Sequence, residues 1–428
     1  MKHNNQDATR ELWDAQYKKF SLYGFLKNLR FFDPYLLLFL TERGISFFQV
    51  GLLFAVREVS INLIEIPSGI IADTFGRKKS MVISLLSYII SFAMFYLFSD
   101  IAWYALAMVF FAGGEAFRTG THKAMMIDYL EARGWGDHRV DYYGRTRAWS
   151  QRGAALSALI AGVIVFYSGS YDQIFLYSII PYLLNLGLML SYPKELDGDT
   201  GTLKTSGVKE AMKEHIIGLI HMLRWHRTRS LMINFSVFDG VFKSVKDYIQ
   251  PIIQSFALTT PVLLFLSGNE RTAIIAAVVY ALLYMMSASA SRNTGRVMNY
   301  FSSPEVALDR IFLLGVLTLA SIGLFMHLDL PGIGMIFFVV YYILENLRRP
   351  MAVGYLTKQV KRTMMATGLS GESQFKALVT AVLAPVFGLA ADTLGIGLAL
   401  VIFSLLLLLF SILFSVGRII SAETEKRK

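Results

Sequence analysis

The sequence predicts an all-α membrane protein of twelve transmembrane helices in two sets of six. Three observations carry this: the composition, the number of long apolar runs, and the placement of basic residues between them. Of 428 residues, 54% are hydrophobic, 14% aromatic and 17% charged, which is more apolar surface than one soluble core can enclose. Runs long enough to span a bilayer begin near Phe20, Phe47, Ser80, Ile101, Thr146 and Ile174, and again near Leu231, Ala273, Leu308, Gly332, Thr367 and Leu394. Met1 to Lys19 is polar and charged, so the first span is expected to act as its own insertion signal rather than as a cleaved leader.

Taken in order, the first span carries Lys27, Arg30 and Asp33, and the second carries Arg57, Glu58 and Glu65. The third is apolar after a basic start at Arg77, Lys78 and Lys79. The fourth holds Glu115, Arg118, His122 and Lys123, the fifth opens with Ser150 and Gln151, and the sixth is apolar. The seventh holds Asp239, Lys243, Lys246 and Asp247; the eighth is apolar, and so is the ninth after its first turn; the tenth holds Glu345, Arg348 and Arg349. The eleventh carries Lys376, and the twelfth is apolar throughout. An ionisable residue at the bilayer centre costs about 2.5 to 3.5 kcal/mol on insertion scales. These side chains must therefore face water or one another.

Orientation follows from the basic residues. With both termini in the cytoplasm, the Arg77 to Lys79 cluster, Arg133, Arg139, Lys194, Lys204, Arg227, Arg296, Lys361, Arg418 and Lys428 all fall inside, and only Arg43 and Arg271 fall outside. That is the positive-inside pattern of an even number of spans in a cytoplasmic membrane. It also accounts for the formal net charge of +10 without nucleic acid as a partner. The chain has no cysteine, which excludes disulfides and thiolate metal sites.

The longest polar connection divides the chain into residues 1–195, a cytoplasmic linker at 196–229, and residues 230–428. The linker starts with turn-forming Asp197-Gly198-Asp199-Thr200-Gly201. Val208, Met212, Ile216, Leu219 and Leu223 then recur at helical spacing, predicting a helix on the membrane surface. Trp13, Tyr17 and Phe20 form a similar stripe, expected to anchor the amino terminus at the interface.

The halves repeat one another. Glu115-Ala116-Phe117-Arg118 matches Glu345-Asn346-Leu347-Arg348, Ser150-Gln151 matches Ser373-Gln374, and Gly76-Arg77 matches Gly295-Arg296. Three matches in order favour an internal duplication.

Between the second and third spans, Gly69-Ile70-Ile71-Ala72-Asp73-Thr74-Phe75-Gly76-Arg77-Lys78-Lys79 resembles the cytoplasmic loop signature of major facilitator superfamily transporters. Its glycines are expected to permit close helix approach at Gly69 and a tight turn at Gly76. The resemblance covers the whole chain. It implies two pseudo-symmetric six-helix bundles, a cavity lined mainly by the first, fourth, seventh and tenth spans, alternating access, a contact of Asp73 with the amino end of the eleventh helix, and pairing of Arg77 with Asp128. Gly69, Asp73, Gly76, Arg77, Lys78 and Asp128 are thus the expected gating group.

The charges sort into two further sets. Arg30, Arg118, Lys243 and Arg348 are the candidate cage for an anionic group, and Asp33, Glu115 and Glu345 are candidate proton carriers. The alternative is that Glu115 and Glu345 only salt-bridge Arg118 and Arg348. His122 shares a face with Glu115 and Arg118, and is read either as a core histidine or as a relay. The resemblance implies a secondary transporter, expected to be driven by protons and to act as a monomer in lipid, and the excess of bases favours a small anionic or zwitterionic solute. The alternatives are a multidrug/proton antiporter, weakened because the fifth span has Gly153 and Gly162 without a neighbouring proline, and a transport-silent receptor or scaffold. No loop could house a catalytic domain, and nucleotide and metal motifs are missing, so neither an enzyme nor a cofactor is expected.

Overall fold

The computed structural model describes residues 13–197, 225–359 and 365–419, together with positions 213 and 217. Among the described residues every regular element is helical, and they form twelve membrane helices. These are α1 (Ala15–Lys27, resuming at Leu36–Glu42), α2 (Phe47–Phe75), α3 (Arg77–Leu97), α4 (Ile101–Arg118, resuming at Thr121–Ala132), α5 (Arg139–Ser168) and α6 (Gln173–Leu190). They continue as α7 (His226–Val245, resuming at Ile249–Thr259), α8 (Gly268–Met298), α9 (Pro304–His327) and α10 (Pro331–Gln359). The last two, α11 and α12, run together as Met365–Leu413 and part at Gly395, whose φ of 83° lies in the left-handed region. The amphipathic stripe expected between Val208 and Leu223 lies outside the described residues.

Local chemistry sets the ends. Asp14, Asp100, Ser267 and Ser303 cap the starts of α1, α4, α8 and α9 with their side-chain oxygens, Ser267 in a reciprocal capping box with Glu270. The break in α1 precedes Pro34, which turns Asp33 away from helical backbone. The break in α4 falls at Gly120, with φ of 81°, and that in α7 is a tight turn at Lys246–Tyr248.

Seven stretches of described helix are long and apolar enough to cross a membrane, and the last of them, Ser370–Ile419, has the length of two spans. α1, α4, α7 and α10 are not among them. These four carry most of the charges within the spans, α2 and α11 carrying others, and three of the four are broken.

Contacts divide the chain into two compact units. The first is Met1–Pro34 with Ser60–Val208, and the second is Tyr35–Val59 with Lys209–Lys428. In the first, α3 lies against α4 and α6, and α1 lies against α5 and α6. Ser80, Ser84 and Ser91 of α3 donate to the carbonyls of Phe117, Gly114 and Ala107 (3.0, 2.6 and 2.8 Å), lacing α3 to α4 where lipid could not satisfy a hydroxyl. The side chains of Trp13, Tyr17 and Phe20 pack on Tyr142 of α5, with the Arg145 guanidinium over Trp13 at 4.3 Å.

In the second unit, α7 packs on α11, and α9 and α8 pack on α10. The start of α2 belongs here. Asp392 accepts from the amides of Phe47 and Phe48 (2.9 and 2.8 Å), a carboxylate at a helix amino terminus. Gln250 accepts from Leu37 N at 2.8 Å, and Tyr35 donates to Ala273 O at 2.8 Å.

Candidate functional site

The breaks in α1 and α4 assemble a charged cluster inside the first unit. Lys27 is the last residue of one helical segment and Arg118 the last of another, where the unpaired carbonyls favour a cation. Arg30 follows in the α1 break. All three turn toward Glu115: Arg118 lies 2.6 Å and Lys27 3.8 Å from its oxygens, and Arg30 hydrogen-bonds it directly. One carboxylate thus serves three cations whose side chains are 11 to 25% exposed. Asp33, from the same break, acts electrostatically on Lys27 and Arg30.

The walls are aromatic. The Arg30 guanidinium lies 5.9 Å from the Tyr88 ring and 5.6 Å from that of Phe111. Tyr182 of α6 donates to Lys27 O at 3.0 Å, taking up a carbonyl freed by the break. Arg30 Nε, Arg118 Nε, Tyr23 Oη and Tyr88 Oη are buried without a hydrogen-bond partner. Such groups each cost roughly 1 to 3 kcal/mol, and all four can donate to an anion. His122 stacks on Tyr23 with centroids 3.9 Å apart, meets Phe20 edge-on, and has Nε2 3.4 Å from Tyr192 Oη. It sits in an aromatic cluster beside the charges.

Lys243 and Arg348 occupy the second unit and serve it separately. Lys243 binds Glu58 at 2.5 Å, and Arg57 holds the other oxygen of that carboxylate at 3.2 Å. Arg348 is fully enclosed and stacks over Phe238, Phe312 and Phe235 at 4.4, 5.1 and 5.4 Å. It donates to Asn234 Oδ1 at 2.7 Å and lies 3.7 Å from Asp239. Glu345 is 6% exposed and makes neither a hydrogen bond nor an ion pair among the described residues. The duplicated Glu-x-x-Arg is closed in α4 and open in α10.

In the loop between α2 and α3, Gly76 has φ of 102° and makes the turn. Gly69 corrects the expectation of close approach, since a Cβ there would meet no atom within 4 Å. α2 simply has no neighbour at that position among the described residues. Arg77 donates to Asp128 Oδ2. Lys78 donates twice from Nζ, to Leu190 O and Tyr192 O at 2.8 Å, while its amide donates to Asp197 at 2.7 Å. It thereby caps the end of α6. The Asp73 side chain lies outside the described residues.

Residues 25–371 match the family model described as Major Facilitator Superfamily. The chain belongs to that superfamily. It is 23% identical over 396 residues to an uncharacterized MFS-type transporter, YxaM, of Bacillus subtilis (strain 168), with 90% of this chain and 91% of that protein aligned. Among solved structures, the nucleoside transporter NupG superposes with a TM-score of 0.75 at 11% identity, covering 94% of this chain and 98% of that one. A D-xylose-proton symporter superposes at 0.67 and 13% identity, covering 93% and 96%. At these identities the likeness concerns the fold. The chain is therefore a multi-pass membrane transporter of the Major Facilitator Superfamily.

For this superfamily member, sequence reasoning placed Arg30, Arg118 and Glu115 on neighbouring spans but missed Lys27 as their companion. Its place three residues before Arg30 was the available signal. Asp239 was placed on the seventh span without its link to Arg348, and nothing in the sequence marked Tyr88, Tyr182 or Asn234.

Proposed function

We propose that the chain is a proton-driven secondary transporter of the cytoplasmic membrane, with both termini inside, moving a small anionic or zwitterionic solute by alternating access. The observation that carries this reading is the sharing of Glu115 by Lys27, Arg30 and Arg118. A buried cluster so rich in cations favours one more negative group. The solute's anionic group takes hydrogen bonds from Arg30 and Arg118, and Glu115, losing these partners, accepts a proton. One anion and one proton enter together, so the charge of the cluster is unchanged. Gly76, Arg77, Lys78, Asp128 and Asp73 act in gating at the cytoplasmic end of α2 to α4.

Reconstituted liposomes test this. Carboxylates, amino acids, peptides, nucleosides and pentoses are offered with an inward proton gradient. At least one anionic or zwitterionic solute should accumulate and cease to do so when a protonophore collapses the gradient. Transport confined to lipophilic cations, or none under any gradient, would contradict the reading.

A further inference from the structure

The second unit contains a buried charge imbalance that the anion cluster does not use. Asp239 of α7 is 5% exposed, Glu345 of α10 is 6% exposed and Arg348 of α10 is 0% exposed. The surrounding charges have other engagements. Glu372 of α11 is 3.9 Å from Lys376. Asp309 of α9 accepts from the amides of Val416 and Gly417 at 2.7 and 2.9 Å. Lys243 is on Glu58, Lys376 and the exposed Arg349 act on Glu345 through space without forming an ion pair with it among the described residues, and α8 contributes the tyrosines Tyr280 and Tyr284, which act on Tyr342. That leaves two carboxylates and one guanidinium in an aromatic enclosure of low dielectric, where an uncompensated charge costs several kcal/mol. One proton makes the set neutral.

The geometry bears on where such a proton would sit. Arg348 sits beside Asp239 but beyond hydrogen-bond length, at 3.7 Å, with Arg348 Nε and Nη1 and Asp239 Oδ1 lacking hydrogen-bond partners. Glu345 makes no hydrogen bond or ion pair among the described residues, so an ionised carboxylate there would lack the direct cation contact that a buried charge requires. Glu345 is nonetheless three residues from Arg348, the spacing at which Arg118 reaches Glu115 at 2.6 Å.

We propose that Asp239, Glu345 and Arg348 form a proton-binding site in which one proton is shared between the two carboxylates and Arg348 turns to whichever is ionised. With Arg348 at Asp239, the proton is on Glu345. When Arg348 turns to Glu345, the O–H bond of Glu345 breaks, one forms on Asp239, and the net charge stays zero. The role of this site in coupling rests on the proton-driven reading given above, but its existence does not.

Infrared difference spectroscopy of the lipid-reconstituted protein across a pH jump tests it without any solute. The wild type should show a protonated-carboxyl band that disappears at high pH. Both Glu345→Gln and Asp239→Asn should remove that band, because in each variant the remaining carboxylate ionises against Arg348. Glu345→Asp should shift it, and Glu115→Gln should leave it in place. A band that survives either Glu345→Gln or Asp239→Asn would overturn the shared-proton site. A band with the expected sensitivities in a protein that shows no proton-driven uptake would uphold the site while refuting the coupling role.

Discussion

Arg118 closes on Glu115 at 2.6 Å one turn back along α4, whereas Arg348 leaves the equivalent Glu345 and lies against Asp239 of α7. The same four-residue pattern thus serves two purposes. In the first unit two further cations crowd the acid and hold it ionised in place; in the second a competing carboxylate draws the base away.

Replacing Glu115 by Gln should strip Lys27, Arg30 and Arg118 of their shared partner. Breaking a buried ion pair costs about 3 to 5 kcal/mol, so the variant should melt well below the wild type. Added acetate or sulfate should raise its melting temperature more than that of the wild type, by supplying the missing anion. A thermal unfolding series in both salts decides this.

The contact between the start of α2 and α11 tolerates no side chain. A Cβ on Gly388 would lie 2.1 Å from Phe47 O, and one on Gly51 would lie 2.4 Å from Ala384 O. Gly388→Ala should therefore destabilise by about 1 to 3 kcal/mol. Gly187→Ala in α6, where nothing lies within 4 Å, should instead stabilise by about 0.5 to 1 kcal/mol through helix propensity. Denaturation midpoints of the two variants should move in opposite directions.

Arg77 and Asp128 are bonded, but the Asp128 side chain is 43% exposed. A pair so open to solvent is worth about 1 kcal/mol or less. Asp128→Asn should leave the melting temperature nearly unchanged while slowing transport, and Asp73→Asn should do the same. Equal loss of stability and transport would indicate a merely structural loop.

Topology can be read from single cysteines, since the chain has none. In intact cells an impermeant thiol reagent should label Asp100→Cys and Asp329→Cys. It should spare Thr200→Cys until the membrane is opened.

Much of the fold was legible because long apolar runs and loop charges report the bilayer directly. All twelve helices fall on expected spans, including α11 and α12, which part within one residue of the predicted Leu394 start. The site was legible only in part. Sequence shows that Arg30, Glu115 and Arg118 cannot face lipid, but the break before Pro34 that swings Arg30 onto Glu115 is a backbone event. The duplication likewise suggested equal roles for Arg118 and Arg348. Their difference arises from Asp239 and Asn234 on α7, which have no counterparts in the matched motif. The stripe of Trp13 and Tyr17 marked a face to be covered, but helical periodicity does not name Tyr142 as what covers it.

The most direct test of the account is solute binding to the purified protein, followed by thermal shift and calorimetry over matched anionic, zwitterionic, neutral and cationic compounds. Stabilisation should be confined to anionic and zwitterionic members and fall at least tenfold in affinity in both Arg30→Gln and Arg118→Gln, each of which removes about 1.5 to 3 kcal/mol of charged hydrogen bonding. Binding of cations alone, or anion binding undiminished in both variants, would contradict the assignment of the Lys27, Arg30, Arg118 and Glu115 cluster as the solute site.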